Sequence, residues 1–397
     1  MQDIEKFRIA EKIQFYRKKA KLTQDDLAKE LSLSRTTITA IEKGERKLKA
    51  SEILDFARIL GISISELTHQ PPLDLKNYKI QFRKYLHTQS YDQAEELGLE
   101  EFFGYIEKYI ELERKTSYRR LTPDSAPIFD KQEYSLQKGS KILADRERQR
   151  LLLGLDPILS IRDLLERELG LLVFYVPIEN SSITAGYIFN DDVGGCIFVN
   201  KKHSLEKRRF ALAHEYAHYL ADRKKISIDQ EEERPDLRRE DSEVFADLFA
   251  SHFLMPDEKV KQMFESITNA TQKFTELDIA HLAVYFGVSF EAMTRKLILL
   301  NFLPKGVYEF MKRNGVKFDQ LTTPFKEKSP LHRSDRDRSD VYPYMYQKMV
   351  LELFKKEEIS EGQLSYYLGL DRLAIRTLLE KEEVTTPGLD LLHLNLR

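Results

Sequence analysis

Residues 208–220 read Arg-Arg-Phe-Ala-Leu-Ala-His-Glu-Tyr-Ala-His-Tyr-Leu. His214 and His218 are four apart, so they share one face of a helix and both imidazoles can reach a single metal ion. Glu215, turned by about 100° on the same helix, can touch a water held there. Two imidazoles with a coordination position left open suit catalytic zinc, and a third ligand is needed to complete the set. Downstream, Glu243-Val-Phe-Ala-Asp247 supplies one on a second predicted helix. Asp247 lies about 40° from Glu243 on that helix, so both can face the metal: Glu243 as ligand, Asp247 as acceptor for the other ring N–H of a ligating histidine. His252, nine residues past Glu243, falls on the opposite face and is excluded as a ligand.

Around this centre the sequence reads as α+β. The segments LLVFYVPI, ITAGYIFN and CIFVN are β-branched and aromatic, and Asn190-Asp-Asp-Val-Gly-Gly195 between the last two signals a hairpin, so a small antiparallel sheet is expected. CIFVN is taken as an exposed edge able to pair with an extended substrate. Helices are expected over 157–169 (opened by Pro157), 204–222, 239–254 and 275–300, with the charged tract DQEEERPDLRRED as a solvated loop. Tyr216, Tyr219 and His203 are considered as oxyanion donors and set aside for structural roles; Cys196 reads as a small buried strand residue.

The N-terminal part has a different pattern. In TQDDLAKELSLSRTTITAIEKGER (23–46), Thr23 caps one helix through Leu31, a Ser-Leu-Ser turn follows, and Ser34 caps a second. Ile38 and Ile41 face a core, which leaves Arg35, Thr36 and Thr39 for the groove, Gln24 for phosphate or adenine, and Lys43, Arg46 and Lys47 for phosphates, with the capping Ser34 also counted in the DNA-binding set. Residues 1–70 hold 14 Lys and Arg against 11 Asp and Glu, a mild basic excess inside a chain of net charge -2. Nonspecific coating of nucleic acid is therefore disfavoured, and docking geometry must carry the interaction. One cysteine excludes an intrachain disulfide, the start MQDIEKFR has no apolar signal core, and no run approaches the roughly 18 apolar residues of a membrane span. A cytoplasmic protein, nucleoid-associated when bound to its operator, is expected.

Two family resemblances follow. Residues 8–67, with TQxxLA, SxxxIxxIExG and the closing LGISISEL, resemble the XRE family, which implies a five-helix lambda-repressor-like DNA-binding domain, a double-stranded operator and a homodimer. RRFALAHEYAHYL, EVFADLFASHFLMP and LAVYFGVSFEAMTRKL, within 155–302, resemble the ImmA/IrrE metallopeptidases. That resemblance implies a zincin-like fold, zinc (with manganese as substitute) on His214, His218 and Glu243, Glu215 as base, and a repressor protein as substrate. Asp247 stands where the family usually has asparagine and still accepts a hydrogen bond.

The expected chain is thus multidomain and mainly α: 1–70 helix-turn-helix, 73–150 helical linker domain, 155–302 metallopeptidase, 303–340 linker, 341–397 helical tail. In the tail, Gly369 breaks a helical hairpin whose core would be Leu364, Leu368, Leu373 and Leu378. The functional expectation is a DNA-binding regulator with a conditional zinc endopeptidase that relieves repression in a stress, phage or mobile-element response. Two readings from other classes use the same residues: a non-proteolytic regulator whose peptidase-like domain senses a ligand, and an antitoxin or phage-defence component.

Overall fold

The structure, a computed structural model, describes residues 2–62, 64, 67, 93–116, 118, 129–179, 181–190, 193–223, 227–230, 240–329, 331, 341–371 and 373–375. In chain order its elements are α1 (Gln2–Lys19), α2 (Gln24–Glu30), α3 (Arg35–Glu42), α4 (Ala50–Ile59), α5 (Gln93–Lys115), α6 (Leu136–Arg150), α7 (Ile161–Asp163), β1 (Leu172–Val176), β2 (Ile183–Asn190), β3 (Gly194–Asn200), α8 (Leu205–Ala221), β4 (Ser227–Gln230), α9 (Asp241–Leu254), α10 (Asp257–Thr271), α11 (Glu276–Phe286), α12 (Phe290–Leu299), α13 (Val307–Arg313), α14 (Phe318–Lys326), α15 (Tyr344–Lys355) and α16 (Glu361–Leu368). They form two compact units, one drawn from Met1–Asp74, Glu107–Tyr118 and Met345–Arg397, the other from Leu75–Ile106 and Arg119–Tyr344.

In the first unit, α1 to α4 enclose Ile13, Leu27, Ile38, Ile41, Phe56 and Leu60. Thr23 and Asp26 form a reciprocal cap on α2, and Ser34 Oγ accepts from the Thr37 amide at the start of α3. Of the fifth helix only Ile64 and Leu67 are described, both helical, and the rest lies outside the described residues. The tail does not stand apart. α15 and α16 pack against the end of α5, with Lys108 Nζ donating to the Tyr366 carbonyl at 2.9 Å and the Tyr346 hydroxyl to the Tyr367 carbonyl at 2.8 Å. Gly369 ends α16 and Leu364 is buried, but Leu373, expected in the core, is 75 % exposed, and Leu378 lies outside the described residues.

The second unit holds a sheet in the order β1-β3-β2-β4. β2 and β3 form the expected hairpin, yet β1 runs parallel to β3, and β4 pairs antiparallel with β2. The sheet is mixed, and CIFVN is an interior strand rather than an edge. Its unbroken apolar run was the sign: a strand covered on both faces loses the in-out alternation of an exposed one. Of the charged tract, Asp229 and Gln230 belong to β4, and 231–239 lie outside the described residues.

Three further departures have visible causes. Pro157 does not open a helix, because two arginines take the carbonyls that a helix would use. Arg148 donates to Gly154 and Asp156, Arg209 to Ile158 and Leu159, and α7 begins only after Ser160, whose Oγ caps it before a π turn over Leu164–Glu168. The helix expected over 275–300 is two helices, split at Gly287, whose φ of +66° suits glycine and where a Cβ would stand 2.8 Å from Arg209 Nε. Finally, the first part of the expected 303–340 linker forms α13 and α14, which pack through Phe290, Tyr308 and Phe318.

α8 lies against the sheet and against α9, and α9 in turn packs on α6. This three-element contact places residues 214–218 and 243–247 face to face.

Candidate metal centre and nucleic-acid interface

α8 is capped by Ser204, and nearly everything from Ala211 to Ala221 is buried. His214, Glu215 and His218 are 1 %, 0 % and 1 % exposed, an arrangement that interior packing tolerates only if their polar atoms are matched. His214 Nδ1 lies 2.9 Å from Asp247 Oδ1, and His218 Nδ1 is turned towards Asp222 Oδ2 at 3.5 Å, an ion-pair separation longer than a well-formed hydrogen bond. The tautomers with Nδ1 protonated would leave both Nε2 lone pairs free for a metal ion. These face each other at 3.1 Å and face Glu243 at 3.2 Å from His214 and 3.5 Å from His218.

In those tautomers the three atoms form a set of lone-pair donors suited to one cation. Ligand atoms bonded to zinc at about 2.0–2.1 Å in a tetrahedron lie roughly 3.3 Å apart, and the observed 3.1, 3.2 and 3.5 Å bracket that edge. Among the described residues, His214, His218 and Glu243 form the one set of three such ligands whose donor atoms lie within 4.8 Å of one another. Burial works against ionisation of Glu243, but in the metal-free site the hydrogen bonds from His214 and His218 prevail and hold its carboxyl well below the usual range; an ion bound to both Nε2 atoms would replace those protons. For His218, burial disfavours the cation, and Asp222 and Glu243 more than offset it. Glu215 sits beside His214 on α8, and its negative charge also bears on His218.

Sequence reading missed Asp222, Lys131 and Ser242. Lys131 Nζ lies 2.5 Å from both Asp222 carboxylate oxygens, and Ser242 Oγ donates to Asp222 at 2.8 Å. Asp222 follows His218 by four residues, a helical spacing that could have flagged it; Lys131, 91 residues away from Asp222, carries no local signal. The residues set aside earlier have structural partners. The Tyr216 hydroxyl donates to Glu147 and accepts from Arg150, His203 Nε2 meets the Ile183 carbonyl at 3.1 Å, and Cys196 is buried. His252 is buried with Nδ1 2.7 Å from Asp257 and 2.9 Å from Lys296 Nζ, away from the three ligands.

In the first unit, Arg35 and Thr36 project into solvent at the start of α3, with Arg35 3.5 Å from Asp25. Thr39 is half-buried, its hydroxyl within reach of the Arg35 carbonyl and of Gln24 Oε1 at 3.2 Å. Gln24 Nε2 donates to Glu42 at 2.8 Å, and Glu42 pairs with the buried guanidinium of Arg17. Gln24 is thus oriented from inside the domain. Ser34 spends its hydroxyl on the helix cap, Lys43 and Lys47 are exposed, and Arg46 is drawn back onto Glu52 at 2.7 Å.

Comparison with known proteins agrees with both halves. Residues 13–67 match the helix-turn-helix family, and residues 166–297 match the IrrE N-terminal-like domain of peptidase family M78. An uncharacterised HTH-type transcriptional regulator of Methanocaldococcus jannaschii is 41 % identical over 56 residues, covering 14 % of this chain and 85 % of that protein. The chain belongs to the XRE-type helix-turn-helix regulators and carries an IrrE/ImmA-like domain. Two solved structures align over 96 % of the regulator. These are Bacillus thuringiensis PlcR in complex with the peptide PapR7 and DNA (10 % identity, all of that chain) and Streptococcus suis ComR (13 %, 92 % of that chain), both at a TM-score of 0.16, too low to inform the fold. No described helix of the regulator is long and apolar enough to cross a membrane.

Proposed function

We propose that the IrrE/ImmA-like unit is a zinc-dependent endopeptidase and that the helix-turn-helix, as one half of a homodimer in the cytoplasm, holds operator DNA while the peptidase cleaves a repressor or other partner protein. The observation that carries this reading is the convergence of two imidazole Nε2 atoms and a carboxylate at 3.1–3.5 Å. His214, His218 and Glu243 would hold zinc, with manganese as a substitute; when bound, the ion acidifies a water and polarises a carbonyl.

The chain's own residues supply the rest. Glu215 takes the proton of the attacking water and returns it to the leaving amine. Asp247 keeps the His214 Nδ1 proton in place, so Nε2 remains the donor atom. Since β3 is interior, the sheet's end strands are β1 and β4; the Tyr175 amide of β1 already donates to the Val341 carbonyl at 2.9 Å, so β4 is the strand offered to an extended substrate. On the DNA side, Arg35, Thr36 and Gln24 meet base edges, and Lys43 and Lys47 meet phosphates.

The test is to incubate wild type and Glu215→Gln, each with zinc or manganese, with the host's small repressor proteins and to look for fragments by mass spectrometry. Fragments are expected with wild type only. Fragments from Glu215→Gln would remove Glu215 from its role, and none from wild type with any XRE-type repressor would sink the proposed substrate class.

A further inference from the structure

Asp222 is a meeting point of three segments. It follows the last turn of α8, four residues beyond His218; Ser242, which donates to it at 2.8 Å, begins α9 beside Glu243. The third partner, Lys131, comes from the 3-10 turn Lys131–Glu133, with Nζ 2.5 Å from both carboxylate oxygens. That turn is held where it is. The Phe129 amide donates to the Leu220 carbonyl at 2.9 Å, the Phe129 ring lies against Tyr134 and Phe245, and the Lys131 ammonium stands 5.5 Å from the centre of the Phe245 ring.

A carboxylate bonded through both oxygens to one ammonium cannot swing. Its oxygens then have a fixed place, and Oδ2 stands 3.5 Å from His218 Nδ1, within ion-pair reach of that ring. The same carboxylate joins the end of one ligand-bearing helix to the start of the other. Side-chain exposures agree: Asp222 is 16 % exposed and Lys131 22 %, against 34 % for Asp247, its counterpart on His214.

We propose that Lys131 is a positioning residue of the metal centre: through Asp222 it orients His218, and through Asp222 and Ser242 it sets the helix start that carries Glu243. The segment 129–133 is then a working part of the centre although it lies outside the matched range 166–297. This rests on the reading of His214, His218 and Glu243 as ligands.

The experiment uses the full chain and reads zinc affinity by competition with a chromophoric chelator, together with the thermal midpoint of the metal-free protein. Asp222→Asn is expected to weaken zinc binding about 10- to 100-fold, and Lys131→Met about 3- to 10-fold in the same direction. The double variant should bind no more weakly than Asp222→Asn alone, because the lysine acts through the carboxylate. Lys131→Arg should stay within about twofold of wild type, since a guanidinium can also bond both oxygens. Should Lys131→Met fail to fold, Ser242→Ala, which deletes one hydroxyl, is expected to weaken zinc binding by several-fold. Wild-type zinc affinity in Lys131→Met with only a lowered midpoint would make the lysine a structural ion pair and overturn the inference. So would additive effects in the double variant. A wild-type chain that takes up no zinc would instead remove the metal reading beneath it.

Discussion

The side chains offered to DNA and those offered to a metal live under opposite conditions. Arg35, at the head of α3, has a side chain 65 % exposed, whereas His214, Glu215 and His218 are at most 1 % exposed. On the surface, water solvates whatever is placed there, so a reading residue can be exchanged with little effect on the fold. In the interior a polar atom is costly unless a neighbour matches it, so function and stability draw on the same contacts. The contrast has one exception. Gln24, tied to Glu42 and through it to Arg17, is one of the residues proposed to read DNA yet is held as the interior residues are.

The sharpest way to break the contrast is to cut an interior polar contact that has no part in the metal site. Asp257→Ala would strip the fully buried Lys296 ammonium of its carboxylate, now 2.5 Å away, and is expected to cost about 3–5 kcal/mol in urea unfolding. A loss under about 1 kcal/mol would mean that interior ion pairs here are expendable. The same group gives a pH signature. Burial opposes ionisation of Asp257, but its bonds to His252 and Lys296 prevail and hold its carboxyl below the ordinary range. A carboxyl depressed in the folded state stabilises above its unfolded pKa of about 4, and the contribution is lost as pH falls below that. Stability should therefore drop between about pH 4.5 and pH 2, and Asp257→Asn should flatten that limb.

On the exposed side, Arg35→Ala should weaken operator binding by about 1–3 kcal/mol while shifting unfolding by less than about 0.5 kcal/mol. Zinc content should not change. A large loss of stability would show that the reading face is structural after all. The smallest expected effect lies in the turn between α2 and α3. Ser32 adopts φ +52°, a conformation costly for any residue but glycine, so Ser32→Gly should stabilise the domain by roughly 0.5–1 kcal/mol without altering DNA affinity.

How far the sequence could be read follows the range of each contact. The caps at Thr23 and Ser34, the shared face of His214 and His218, and the near alignment of Glu243 with Asp247 are all set by spacings within one helical turn. Helix geometry alone makes such spacings interpretable. Asp222 had the same kind of signal, at four residues from His218, and was passed over. What stayed hidden depends on partners far along the chain. The parallel pairing of β1 with β3, Lys131 on Asp222, and Arg209 on the Ile158 carbonyl involve separations that no local pattern encodes. The 275–300 stretch is a different failure, since Gly287-Val288-Ser289 spelled a stop and a new cap in plain view.

Arg148 sets a length. Its guanidinium grips the carbonyls of Gly154, Asp156 and Phe253, two in the connection after α6 and one at the end of α9. The connection is therefore gauged against a fixed ruler, and an inserted residue between 150 and 156 could not be absorbed as slack. Surface connections usually accept extra residues at small cost; this one should reject them as a packed interior would.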